Sequence, residues 1–548
     1  MMRRFRLAGT VPAGLLLIAA ALPALLGCTE GASPPPFDIV IKGGTLYDGS
    51  NAPSRTADIG IRGDRIIAIG DIAAKSEKSL DARGLIITPG FIDSHSHFDI
   101  AVREVGWRIH LADWRGVWKG NHAQLLQGVT TVITGNCGMG HPDAKAWLEQ
   151  VDALKMGVNV GHLAPYGAIR NELFDNRADA PLVGAEVESF RRRMDAEMQR
   201  GALGMSIGLH RMPDGLATAD EVVEIAATVK NYGGVLSVHL RNDSGRLQDH
   251  GQAAVVESLA EAIGIGLRSG APLHISQIRL RLPFTDVRSS QMRRMVEEAR
   301  KSGLDVTADQ SPYEATIDPL PARLPAGLLS GAALRSEYRS GEAPEALKRA
   351  VDELLLVRKP ERILIVSFPG DRSLEGRTIR EIATKQKKTA AEVCLALLRG
   401  DPAPVAAFFE TNDKVMRALM PFPWVFTASH AVPSFSGDVT VPPSYYGTFP
   451  RKIRKYAIED KIIRLNDAIR SMTSAPAEKF GLQGRGRLAV GNYADIAVID
   501  LKNFADAATY GELQKPARGV VHLLVNGIVS VEGGKVTGHR GGRAIRRF

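Results

Sequence analysis

The sequence predicts an α/β protein, a (β/α)8 TIM-like barrel joined to a smaller β domain that both ends of the chain build together. Three observations carry that expectation. The chain has 548 residues, 44% of them hydrophobic, which exceeds one average domain and suffices for a large core. Between about residues 89 and 485, apolar strands alternate with helical stretches. The segments on either side of that region read as strands and turns alone.

At the amino terminus, Arg3, Arg4 and Arg6 precede an apolar run over residues 11–24, which Leu25-Leu26-Gly27-Cys28 closes. The run is too short for a comfortable membrane-spanning helix. Small residues before a cysteine are the pattern of a bacterial lipoprotein signal peptide over 1–27, with Cys28 as the lipid attachment site. A plain secretory signal is the alternative. Residues 28–36 then form a Pro-rich tether. The expectation is an exported protein, lipid-anchored in the bacterial cell envelope and facing the periplasm, that meets the membrane only through this anchor.

Residues 37–88 alternate as strands, and 486–548 do the same, so the two ends are expected to form one composite β-sandwich. Gly43-Gly44 and Gly533-Gly534 read as hairpin turns. Within 89–485, candidate strands fall at 86–92, 130–134, 158–163, 203–207, 235–238, 273–276, 306–309 and 424–428. Helical runs lie between most of them, such as 186–200, 219–232, 253–269 and 289–302. Eight such units at this length fit a closed barrel better than an open doubly wound sheet. The gap at about 317–423 is far longer than the others and reads as a small, mostly helical insertion after strand seven, over the barrel mouth.

Charge excludes one class of partner. Lys and Arg number 69 against 60 Asp and Glu, a net charge of +9, and three of the positives lie in the first six residues. No basic stripe interleaves with aromatics, so nucleic acid is not favoured. The cysteines are Cys28, Cys137 and Cys394, which provide neither a disulfide framework nor a CxxC zinc site.

In such barrels the chemistry sits where strands end. Strand one runs into FIDSHSHFD, residues 91–99, where residues two apart share a face. His95 and His97 therefore project together, as two ligands of one divalent ion must. An HxH pair alone is weak evidence, but other metal-capable side chains fall at equivalent places. Strand two ends in Cys137, within GNCGMG; strand five in His239; strand six in His274 and Gln277; strand eight in His430. A soft thiolate together with imidazoles suits zinc. The bland alternative for Cys137 is an inert core cysteine, and for His239 a satisfied polar residue.

The segments IKGGTLYDG, TPGFIDSHSHFD, GVTTVITGNCG, GALGMSIGL, VHLRND, YYGTFPR and MTSAPAEKFGLQGRGRLAVGNYADIAVID carry a resemblance. From about residue 37 to the carboxyl terminus the chain resembles the N-acyl-D-amino-acid deacylase (D-aminoacylase) family of the amidohydrolase superfamily. The resemblance implies a barrel with a composite β-sandwich and a zinc centre whose tightly held ion uses the strand-two cysteine. It also implies hydrolysis of a small-molecule N-acyl-D-amino acid to a carboxylate and a free D-amino acid. Matched residue by residue, His95 and His97 fall on the HxH ligands, Cys137 on the cysteine ligand and His239 on the strand-five histidine. Arg279 falls where the family has a lysine that meets the substrate carboxylate, and Tyr313 where it has a tyrosine near the substrate.

Two positions depart from the family pattern. Gln277 stands where the family has a histidine ligand, and a glutamine carbonyl is a poor zinc ligand beside an imidazole. His274 does not simply replace it, since a spacing of three lies on the opposite face of a regular strand. Ser429-His430-Ala431 stands where the family has an aspartate that moves the proton. The imidazole of His430 is able both to bind metal and to act as a base. The expected metal set is thus His95, His97, Cys137, His239 and Gln277, with His430 and Asp99 moving protons and Arg279 and Tyr313 on the substrate. Three readings stay open: a zinc-dependent deacylase; a divergent amidohydrolase on another acyl-amino acid, dipeptide or cyclic amide; and an impaired lipoprotein that binds such ligands. A lysine-bridged two-metal hydantoinase is disfavoured, because LGMSIGL (residues 203–209) contains no lysine.

Overall fold

Eight short strands form the barrel: β1 (Phe91–Asp93), β2 (Val129–Thr134), β3 (Asn159–His162), β4 (Gly204–Gly208), β5 (Val235–His239), β6 (Leu273–Ser276), β7 (Val306–Gln310) and β8 (Val425–Thr427). The computed structural model describes residues 36–105, 119–284, 288–325, 328, 338, 341–433 and 441–547. The expected signal peptide and Cys28 lie outside the described residues, as does the expected tether apart from Pro36.

Neighbouring barrel strands pair in parallel. β1 pairs with β2 and β2 with β3; Ala164–Pro165, just after β3, continues to β4; the ladder then runs β4–β5–β6–β7–β8. Every residue of β2, β4, β5, β6 and β7 is buried, as strands covered on both faces must be. Helices cover the outside. Ala219–Asn231, for example, starts at Thr218, whose hydroxyl accepts from the Glu221 N–H, and buries Val222, Ile225, Ala226 and Val229. The ring closes where β8 runs into the segment after β1: His430 N–H donates to His95 O at 2.9 Å and His97 N–H to Ala431 O at 3.1 Å.

The first expected strand, 86–92, is two strands. Ile86–Pro89 belongs to the β domain, pairing antiparallel with Ile496–Ile499, whereas Phe91–Asp93 enters the barrel. The break falls at Gly90, where a Cβ would lie 2.2 Å from the Thr130 side chain. Only glycine passes between the two bodies there.

The β domain is a nine-stranded sheet that combines five strands from before the barrel with four from after it. Strand Phe37–Leu46 pairs along its first half with Ser76–Asp81 and at its end with Ile86–Pro89, both in parallel. Gly43-Gly44 is therefore no hairpin turn: the register shifts between Ile41 and Gly44, so the pair forms a bulge inside one ten-residue strand. Gly533-Gly534 does turn a hairpin, between Ile528–Glu532 and Lys535–Val536.

The segment after β7 is less helical than its composition suggests. Ala315–Pro319, Ile363–Ser367 and Val405–Phe409 make an antiparallel sheet of their own. Helices Glu345–Arg358, Ile379–Gln386 and Ala390–Leu398 accompany it. Thr378/Glu381 and Thr389/Glu392 form reciprocal capping boxes at two of the helix starts. Leu320, Val351, Ile363, Ile365, Ile382 and Phe408 give this unit its own core.

One residue works against this packing. Lys452 opens a π-helical stretch, Lys452–Glu459, and is 1% exposed. Burial alone pushes its ammonium down to about 7. Because the folded value lies below that of the unfolded chain, stability falls as pH drops from the unfolded value near 10.5 toward 7, and the full penalty persists below 7. Lys452→Met should therefore raise the apparent Tm at pH 6–7, by an amount reflecting a few kcal/mol at roughly 1.4 kcal/mol per pH unit. The gain should shrink toward pH 10, and a pH series of thermal melts reads both effects.

Candidate metal centre

At the carboxyl-terminal end of the barrel four side chains converge. His95 Nε2 lies 3.2 Å and His430 Nε2 3.8 Å from Cys137 Sγ. One donor atom each from His95, His97, Cys137 and His430 lies within 4.8 Å of all the others. The ring centroids of His95, His97 and His430 are 4.5–5.2 Å apart.

Backbone geometry explains the convergence. β1 ends at Asp93, so His95 and His97 sit just beyond the strand, but Ser96 bridges Ala431 and keeps that segment extended. The Asp93 carboxylate accepts from the His95 N–H, the Ser429 N–H and the Ser429 hydroxyl, and so ties the β8 loop to the β1 loop. Cys137, Gln277 and His430, which follow β2, β6 and β8, all adopt left-handed backbone with φ of 55°, 56° and 48°. Such conformations cost on the order of 1–3 kcal/mol each and persist only where the surroundings fix them. Beside Cys137, a Cβ on Gly138 would fall 1.8 Å from Asp214 Oδ2, so glycine is required for that turn to lie flat.

The charges suit a cation. Burial opposes ionisation of Cys137, but the positive potential of His95 and His239 outweighs it and holds the thiol well below its ordinary value. Asp309, at the end of β7, is fully buried; burial would raise it, yet His95 and His274 hold it well below the usual carboxylate range. As an acceptor 3.1 Å from His95 Nδ1, Asp309 fixes the tautomer and leaves Nε2 facing Cys137. Among the described residues, His97 Nδ1 is buried without a hydrogen-bond partner. A thiolate, three clustered imidazoles and an orphaned buried nitrogen together fit a divalent zinc ion.

The expected ligands do not all meet. His239 places Nδ1 3.3 Å from Cys137 Sγ, outside the group of four, and Nε2 3.9 Å from Asp243. Gln277 stands outside the group of four: its backbone N–H and its side-chain amide both donate to Asp309 Oδ1, at 2.9 and 3.0 Å. The left-handed turn at Gln277 also breaks strand alternation, so His274 reaches the same carboxylate from β6, Nε2 to Oδ2 at 3.0 Å. Asp99 is likewise not placed among the converging groups. It is fully buried, and its Oδ2 accepts from the Gly135 and His141 N–H groups, which moors the Cys137 loop.

Arg279 and Tyr313 line a cavity of about 900 Å³ that opens beside His239 and His430. The Nε of Arg279 donates to Asp243 at 2.8 Å, and the Tyr313 hydroxyl to Asp506 at 3.1 Å. Sequence reasoning missed Asp93 and Asp309, although both are acids at the ends of barrel strands, the rule that found the histidines. It also missed His210, which follows β4, lines the cavity and lies against His239 with ring centroids 4.0 Å apart and planes tilted by 33°. Arg281 and Arg323 escaped as well, because they enter the cavity through ion pairs that a sequence does not reveal.

Residues 403–531 match the amidohydrolase family. The D-aminoacylase of Alcaligenes xylosoxydans xylosoxydans is 29% identical over 93% of this chain and 98% of its own. A D-aminoacylase crystal structure superposes with a TM-score of 0.73 at 27% identity, covering 93% of this chain and all of that one. The N-acyl-D-glutamate deacylase of Bordetella bronchiseptica, solved with zinc and a phosphonate inhibitor, gives 0.72 at 25% identity over 93% of this chain and 99% of its own.

Asp309→Asn keeps the shape but removes the charge that orients His95. Zinc affinity, measured by competition with a chromophoric chelator, should fall about 10- to 100-fold with the fold intact.

Proposed function

We propose that this metal-dependent amidohydrolase, related along nearly its whole length to the N-acyl-D-amino-acid deacylases, hydrolyses N-acyl-D-amino acids to a carboxylate and a free D-amino acid with one zinc ion. The observation that carries the reading is the convergence of His95, His97 and Cys137 beside an arginine-lined cavity. These three residues would hold the ion. Zinc supplies Lewis acidity there, polarising a carbonyl oxygen and making water nucleophilic near neutral pH.

The rest falls to the chain itself. Arg279, Arg281, Arg323 and Arg358 form a network with Asp243, Asp318 and Glu410, four guanidinium groups against three carboxylates. Among the described residues of that network one positive charge is in surplus, which suits a substrate with a single α-carboxylate. Arg279 binds that carboxylate, since the planar fork of a guanidinium matches it. Ile317, Met416 and Val432 line the same cavity and cover the acyl group. His430, neutral because burial and the nearby His95 push it down to about 3, is free to accept a proton from the attacking water and then passes that proton to the departing nitrogen. Tyr313, fixed by Asp506 and with Arg451 4.6 Å over its ring, forms a rigid wall.

The amino-terminal segment supports a further part of the reading: export, with Cys28 as the lipid attachment site and the barrel facing the periplasm. Export of a Cys28→Ala variant without retention in the membrane fraction would be the expected signature.

The purified mature chain should carry about one zinc and hydrolyse N-acetyl-D-amino acids faster than their L isomers. Cys137→Ser should lose both zinc and turnover. Arg279→Ala should raise KM about 10- to 100-fold, the worth of a hydrogen bond to a charged group, with a smaller effect on kcat. A zinc-loaded chain inert toward every N-acyl-D-amino acid tried would defeat the proposal.

A further inference from the structure

A second cavity, of about 600 Å³, lies against the loop that carries Cys137. It shares no lining residue with the first. Ile100 and Arg211 face it, whereas their chain neighbours Ala101 and His210 face the cavity beside His239. Residues 138–140, directly after Cys137, form one of its walls. Its charge is unbalanced. Arg103 and Arg211 both line it, and among the described residues neither forms an ion pair. Arg103 donates to Gly140 O at 3.0 Å, which fixes it to that wall. The Arg211 stem lies against Gly208, its Cδ 3.4 Å from where a Cβ would stand. The acids nearby do not offset them. Glu172 is taken by Arg193, at 2.7 Å. Asp214 is 2% exposed: a Cβ on Gly167 would fall 2.0 Å from its Oδ1, and the Gly208 N–H donates to its Oδ2 at 2.7 Å. That burial raises its carboxyl well above the usual value and suppresses its charge. Two guanidinium groups without carboxylates therefore face one cavity, and their forks match a carboxylate. Ile100, Met139 and Met212 add apolar surface, and methionine adapts to chains of varied shape.

We propose that this cavity is a second binding site, for a small carboxylate that carries an apolar tail and no ammonium group. Arg103 and Arg211 take the carboxylate, and the methionine-lined wall covers the tail. An ammonium would meet the same two guanidinium groups, so a free amino acid is repelled. Two molecules of the reaction read above share the accepted chemistry: the acid it releases and the N-acyl amino acid it consumes. The site itself does not depend on that reading; only the source of its ligand does. Because its wall is the backbone directly after Cys137, the occupant bears on the same loop as the thiolate.

Calorimetry with hexanoate tests this on the purified Arg279→Ala chain, in which the first cavity has lost its carboxylate partner. Hexanoate should bind. Adding Arg211→Gln or Arg103→Gln should each weaken it about tenfold or more, the worth of a hydrogen bond to a charged group. Arg211→Lys keeps the charge and should keep most of the affinity. D-leucine should bind at least about tenfold more weakly than hexanoate. Two arginines are tested separately so that misfolding of one variant does not decide the matter, and far-UV circular dichroism checks each. Absence of hexanoate binding, binding unchanged in both glutamine variants, or D-leucine binding as tight as hexanoate would overturn the site. N-acetyl-L-leucine, an uncleaved stand-in for substrate, distinguishes the sources: tighter binding than hexanoate marks the consumed molecule, weaker binding the released acid. Turnover is scored separately. A chain that binds hexanoate through these arginines but hydrolyses no N-acetyl-D-amino acid upholds the site and sinks the deacylase reading.

Discussion

The barrel's seam is also its chemistry. Two backbone hydrogen bonds, from His430 to His95 and from His97 to Ala431, join the last strand's loop to the first strand's loop. Without that seam, His95 and His97 would belong to one loop and His430 to another, with no fixed distance between them. Asp93 reinforces it by accepting three bonds from both sides. A (β/α)8 barrel closes only when strand one meets strand eight, so completion of the fold and assembly of the donor set are one event. Strain at Cys137 and His430 is affordable because packing there is already over-determined.

Electrostatics complete what geometry begins. A thiolate and a carboxylate, Cys137 and Asp309, are buried on either side of His95. Buried charges cost several kcal/mol each unless compensated, and here the compensation falls to neighbouring imidazoles that burial disfavours in their charged form. A divalent cation is the natural complement. Further out the balance reverses, because the arginines around Asp243 and Glu410 outnumber their acids. Donors suited to a cation thus lie next to a surplus of guanidinium groups, with His239 and Arg279 sharing Asp243 between them.

Much of this was legible in the sequence, for identifiable reasons. The eight barrel strands were readable because parallel strands are apolar throughout, and VTTVIT and VLSVH stand out between polar helices. The convergence of His95, His97, Cys137 and His430 was readable because each follows the end of a barrel strand. Gln277 and Asp99 stand apart from the converging donors for different reasons. The family position of Gln277 says nothing of the hydrogen bonds that draw its amide to Asp309, and Asp99 lies near the HxH pair in sequence but turns back onto the Gly135–His141 loop. The orienting role of Asp309 was not legible, because its partners lie far off in the chain, His95 after β1 and His274 and Gln277 in and just after β6. The bulge at Gly43-Gly44 was hidden for a similar reason: a glycine pair looks the same in a turn and in a kinked strand, and only pairing with two different partners distinguishes them.

The composite sheet imposes an order on biogenesis. Strand Ile86–Pro89 needs Ile496–Ile499 on one side, and that partner is translated only after all eight barrel strands. Until then its apolar edge has no neighbour, and an unpaired apolar edge is where nascent chains stick to one another. The amino-terminal strands must therefore be kept from premature association while the whole barrel is still being made. A chain lacking Ile496–Ile499 would never cover that edge and would stay prone to association.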